Sequence, residues 1–179
     1  RVAMTSMPEL VALFNGLGGG SSLLVALGVY VNAPALDITS AIICVISIII
    51  GAVTFSGSIV AWGKLSTVFP GRPLTLWGQH IINGTLVLTL FITSSLFVIE
   101  PIAYAHVLLI LMSTALVLGI TSVLAIGGGD MPVVIALLNS YSGIAAAAAG
   151  IVIGNMLLIV AGILVGASGL ILTNLMCKA

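Results

Sequence analysis

The segment Asp130-Met131-Pro132-Val133-Val134-Ile135-Ala136-Leu137-Leu138-Asn139-Ser140-Tyr141-Ser142-Gly143 sets an amide and three hydroxyls into a run that otherwise reads as a membrane span. Ile144 and five alanines, Ala145 to Ala149, follow. Lipid cannot satisfy such groups, so they must face protein, water or a transported species. A second segment repeats the pattern. Met7-Pro8, Ala12-Leu13, Asn15 and Gly19 stand at the same offsets as Met131-Pro132, Ala136-Leu137, Asn139 and Gly143. Each Asn lies seven residues past its Pro, about 10 Å along a helix. Ser58, near the end of another apolar run, falls at a similar depth. An amide carries both donors and acceptors. A few amides and hydroxyls among closely packed helices suit a narrow, gated proton path better than a wide pore.

The elements that must position these groups follow from composition. The chain of 179 residues is 61% hydrophobic and 4% charged, with a mean hydropathy of +1.41. Soluble domains carry about 25% charged residues, so this is an all-α, polytopic membrane protein. Apolar runs of about 20 residues mark spans. Six are expected, at 8–32, 38–62, 80–99, 102–126, 132–154 and 157–177, in a single transmembrane domain covering 1–179. Turn-like separators divide them: Asn32-Ala33-Pro34, Phe69-Pro70-Gly71-Arg72-Pro73, Glu100-Pro101, Gly127-Gly128-Gly129-Asp130 and Gly154-Asn155. Six spans put Arg1, Lys64, Arg72 and Lys178 on one side and Asp37 and Glu100 on the other. The excess of basic residues makes the first side cytoplasmic, with both ends of the chain there.

No charged residue is expected deep in a span, which argues against a voltage sensor or a buried ion pair. Zero formal net charge leaves no basic field for nucleic acid. Cys44 and Cys177 form neither a disulfide framework nor a zinc site. His80 and His106 fall near span ends, away from the Asn15 level. Trp62, Trp77 and Tyr104 read as interfacial anchors. The run Gly16-Leu17-Gly18-Gly19-Gly20 lacks the preceding strand of a dinucleotide-binding loop. Small residues recur at helical spacing: Ser47, Gly51, Thr54 and Ser58 in span two, Asn139, Gly143, Ala146 and Gly150 in span five, and Gly162, Gly166, Gly169 and Thr173 in span six. Such stripes let helices approach closely. Gly51-Ala52 before Lys64 parallels Gly166-Ala167 before Lys178. Spans one and two are therefore expected to correspond to spans five and six as a parallel repeat.

The motifs Asp130-Met131-Pro132-Val133-Val134, Leu138-Asn139-Ser140-Tyr141-Ser142-Gly143 with its alanines, and Met176-Cys177-Lys178-Ala179 resemble the beta subunit of proton-translocating NAD(P) transhydrogenase. So do Met7-Pro8-Glu9-Leu10-Val11-Ala12 and Gly51-Ala52-Val53-Thr54-Phe55-Ser56-Gly57-Ser58, continuing to Gly63-Lys64-Leu65. The resemblance implies a bacterial inner-membrane module that couples hydride transfer between NADH and NADP⁺ to proton movement. The cofactors NAD(H) and NADP(H) would bind soluble domains outside this chain. The NAD(H)-binding domain and further membrane helices would belong to an alpha partner, and the NADP(H)-binding domain would follow in the same beta subunit. The complete enzyme would be a homodimer in the lipid bilayer. This chain would be the C-terminal six-helix part of the beta membrane domain, a fragment without upstream helices and without a hydride-transfer site.

By the same resemblance, Asn139 and Ser58 match proton-path positions, with Ser140 and Ser142 beside them. Asp130 matches an acidic docking residue, with Lys178 at the same face. Gly162, Gly166 and Gly169 match a glycine face of the last helix. Asn15 departs from the family, since many members carry a histidine there. Asn does not titrate near neutral pH, so water or a histidine elsewhere would have to carry the proton. Two other readings of the chain are a stand-alone secondary transporter and a purely structural membrane anchor for redox domains.

Overall fold

The computed structural model describes residues 6–75 and 77–178; Arg1 and Ala179 lie outside the described residues. Six helices follow in order: α1 (Met7–Asn32), α2 (Ile38–Leu65), α3 (Gln79–Ile99), α4 (Val107–Leu124), α5 (Met131–Ile153) and α6 (Met156–Lys178). A single 3₁₀ turn, Gly128–Asp130, leads into α5. All six helices are long and apolar enough to cross a bilayer. The expected all-α six-span architecture is present.

Local chemistry sets most helix ends. Pro8 and Pro132 occupy the first turns of α1 and α5, where a missing N–H costs nothing. Asp37 caps α2, its carboxylate accepting from the backbone N–H groups of Thr39 and Ser40. These Ser40-centred hydrogen bonds hold its carboxyl below the ordinary Asp range. α5 closes at Gly154, whose φ of +70° suits glycine. There Asn155 N–H reaches Gly150 O at 2.8 Å and Gly154 N–H reaches Ile151 O at 3.2 Å, the paired bonds of a Schellman motif. The Asn155 side chain then caps α6 through Leu158 N–H.

Two ends differ from expectation. Span four runs from Val107 to Leu124 rather than from 102 to 126. At its start, residues 101–106 form turns, and the Pro101 carbonyl accepts from the Tyr30 hydroxyl at 2.8 Å. At its finish, Leu124 O accepts from Leu74 N–H and from Lys64. Span two continues three residues further than expected, to Leu65, and this brings Lys64 into the helix.

Helix α2 is central and packs against α1, α3, α4 and α5, while α6 leans only on α5. Two apolar clusters fill the interior. The first joins Ala26, Tyr30, Cys44, Ile48, Phe97 and Leu111, with Tyr30 edge-on to Phe97 at 5.2 Å. The second joins Ala12, Val60, Ala61, Met131, Ile135 and Leu138. It lies at the end of the bundle where α1 and α5 begin and α2 and α4 finish. Between the clusters, α1, α2 and α5 face one another through residues 15–22, 47–58 and 140–145, where the buried polar side chains of the interior concentrate.

Candidate functional site: a polar layer where three helices meet

Asn15 on α1 is buried and hydrogen-bonded to two other helices. Its amide Nδ2 donates to Ser58 Oγ on α2 at 3.0 Å. Its Oδ1 accepts from Ser142 Oγ on α5 at 2.7 Å, and Ser142 also lies 3.2 Å from the Asn15 carbonyl. The bonds run in one sense, from Ser142 through Asn15 to Ser58. Among the described residues, the Ser58 proton has no acceptor in turn.

Glycines permit this approach. A Cβ at Gly16 would come 3.0 Å from Ser58 Cβ. One at Gly19 would come 2.9 Å from both Gly51 O and Thr54 Cβ. Because Gly16 and Gly19 are spent on helix packing, the glycine run of α1 is no cradle for a nucleotide phosphate.

Farther along, away from the Met7 end, Ser47 Oγ lies 3.3 Å from both Ser22 O on α1 and Ala145 O on α5. The same three helices are thus joined at a second level. A cleft of about 290 Å³ opens beside the cluster between α1, α5 and α6, lined by Gly18, Ser21, Ser22, Ser142, Gly143 and Gly162 among others.

The remaining expected site residues fall elsewhere. Ser140 is fully buried but turns to α6, where its hydroxyl donates to Gly166 O at 2.7 Å. Asn139 is half-buried, and among the described residues its amide makes no hydrogen bond. It is one turn short of Ser142, which takes the place beside Asn15. Asp130 and Lys178 are exposed at the Met7 end of the bundle. Gly162, Gly166 and Gly169 are the buried residues of α6. A Cβ on Gly162 would lie 2.5 Å from Ala147 N, and one on Gly169 would lie 2.9 Å from Ser140 N. The helix is held by its glycine face alone.

Lys64 is the residue whose place the sequence did not reveal. Expected in a cytoplasmic loop, it is 3% exposed. Its ammonium donates to Leu124 O and Ile126 O at 2.6 Å each, with Val123 O at 3.5 Å. A helix ends with carbonyls that lack partners and with a partial negative charge. Lys64 satisfies both at the end of α4 and fixes the chain just before the 3₁₀ turn that carries Asp130. Its apolar neighbours in sequence gave no sign of this, because its partners are backbone atoms some sixty residues away. Lys64→Met should leave those carbonyls unpaired and cost about 1–3 kcal/mol. Faster amide exchange at residues 125–130 is the measurement that checks it.

Comparison with known proteins bears on this arrangement. Two relatives from Rhodospirillum rubrum, both named NAD(P) transhydrogenase subunit beta, are 43% identical over 186 residues, covering 99% of this chain. The chain spans 40% of their length. The family described as NAD(P) transhydrogenase beta subunit matches residues 1–179. A multi-pass helical chain matched along its whole length belongs to the NAD(P) transhydrogenase beta subunit family.

Proposed function

We propose that this chain is the proton-translocating membrane module of an NAD(P) transhydrogenase. Hydride passes between NADH and NADP⁺ in soluble domains outside residues 1–179, and the bundle couples that transfer to proton movement. The observation that carries the reading is the directional chain Ser142 → Asn15 → Ser58, set between two apolar clusters. Neutral hydroxyls and an amide can pass a proton only together with water, so the cleft at Ser142 is the entry on this reading. The apolar clusters on either side block a continuous leak.

Membership of the family supports the partners: an alpha component with its own membrane helices and NAD(H)-binding domain, and an NADP(H)-binding domain on the beta side. Asp130 and Lys178, exposed at one end, are the contacts for that domain. This end is cytoplasmic, in a bacterial inner membrane, and the complete enzyme is a homodimer. Two equivalent contacts support the internal repeat. Gly19 packs on Gly51, and Gly143 packs on Gly166, the positions that the Met-Pro and Gly-Ala matches make equivalent.

The structural-anchor reading draws on one specific observation, the bonding of Asn15 to both neighbouring helices. The unbonded Asn139 amide and the cleft favour the proton module. In vesicles holding the complete enzyme, NADPH together with an oxidised NAD analogue should produce a pH change that neither nucleotide produces alone. Hydride transfer without any pH change would leave the anchor.

A further inference from the structure

Thr54 is fully buried, and its hydroxyl has no hydrogen-bond partner in the protein, alone among the fully buried side-chain polar atoms of the described residues. Helical Ser and Thr side chains ordinarily return a bond to the carbonyl three or four residues back. This chain does so repeatedly, at Ser56, Thr85, Thr89, Thr93, Thr114 and Thr173. Thr54 has the same option and does not take it.

Its position gives the omission meaning. Thr54 shares a face of α2 with Ser47, Gly51 and Ser58, so it lies between the two levels at which α1, α2 and α5 are joined. Four residues of helix separate it from Ser58, about 6 Å of rise. That is roughly two hydrogen-bond lengths. Ser58 accepts from Asn15 and has a proton to give. Thr54 Oγ1 has both its proton and its lone pairs free.

We infer that Thr54 Oγ1 and Ser58 Oγ together hold a buried water, and that Thr54 is the next relay of the path beyond the Asn15 cluster, in the direction of Ser47. A proton arriving from Ser58 is taken up by the water, which releases one of its own to Thr54; the hydroxyl in turn passes its proton onward. No bond other than O–H changes, and the water is regenerated. A hydroxyl held by its own helix would have to break that bond to take part, whereas Thr54 is already free.

This inference rests on the proton-module reading, and the test separates the two. Thr54→Val keeps the shape and removes the hydroxyl; Thr54→Ser keeps the hydroxyl. Both are assayed in the complete enzyme in vesicles for proton uptake and hydride transfer, beside Asn139→Leu, and for thermal midpoint. A purely structural Thr54 gains from Val, because a buried unpaired hydroxyl opposes folding. The expected result is a midpoint unchanged or raised in Thr54→Val with proton uptake down tenfold or more, and at least half the uptake retained in Thr54→Ser. Full uptake in Thr54→Val while Asn139→Leu is blocked would overturn the inference and leave the module reading standing. Full uptake in both would overturn both.

Discussion

Replacing Asn15 by leucine in the complete enzyme should abolish proton pumping while nucleotide binding and hydride exchange within the soluble domains persist. Asn15 makes the only side-chain bridge among the described residues that joins Ser58 and Ser142. Leucine removes the donor and the acceptor at once and fills the space with alkyl carbon, so water cannot take over. Positioned proton transfer commonly contributes a factor of about 10²–10⁴. A fall of at least about a hundredfold in the initial rate of vesicle pH change is therefore expected. Stability falls as well. Two buried hydrogen bonds are worth roughly 2 kcal/mol together, and the bulkier side chain against Gly16 and Gly19 adds about 1–3 kcal/mol of overpacking. Ser58 and Ser142 limit the loss by turning to their own helix carbonyls, as other hydroxyls of this chain do. Pumping at the wild-type rate in a well-inserted Asn15→Leu enzyme would remove the cluster from the mechanism.

The second large effect concerns α6. Gly162→Leu should detach this helix from α5. The first carbon added at Gly162 already meets Ala147 N at 2.5 Å and Gly143 O at 2.7 Å, and both are backbone, so neither can swing aside. Since α6 buries only its three glycines, a lost contact there cannot be recovered along the rest of the helix. A destabilisation above about 4 kcal/mol is expected, the range reserved for a specific structural failure. Gly166→Ala is the internal comparison. Its added carbon would lie 3.4 Å from Ile144 Cγ1, ordinary contact with a movable side chain. With helix propensity favouring Ala by about 1 kcal/mol, that variant should be neutral or slightly stabilised. Thermal midpoints of the two detergent-solubilised variants decide it; equal midpoints would mean that the glycine face does not hold α6.

The six helices were legible because hydropathy and length report on lipid directly, and Pro8, Pro132, Asp37 and Gly154 mark helix ends by local chemistry. The ends of α4 were not, because Tyr30 and Lys64 define them from other helices. The polar layer was partly legible. Asn15 and Ser58 could be placed at one depth by counting residues at 1.5 Å each. Counting gives depth but not facing, and Ser142 rather than Asn139 meets Asn15. Ser47 and Thr54 stood on a visible small-residue stripe, yet only coordinates show that one hydroxyl bridges two carbonyls while the other bonds to nothing. Lys64 was misplaced because a cation near a span end ordinarily points to the lipid headgroups. Here the carbonyls at the end of α4 offer it a stronger site.

Asn139 provides the most direct test of whether the polar layer conducts protons or merely ties helices together. Its amide forms no hydrogen bond among the described residues, so a purely structural role predicts that Asn139→Leu changes nothing. The deciding measurement is the number of protons taken up per hydride transferred, recorded in the same vesicles for wild type and Asn139→Leu. The proton-module account predicts that this ratio collapses toward zero in the variant while the soluble domains still exchange hydride. An unchanged ratio would contradict it.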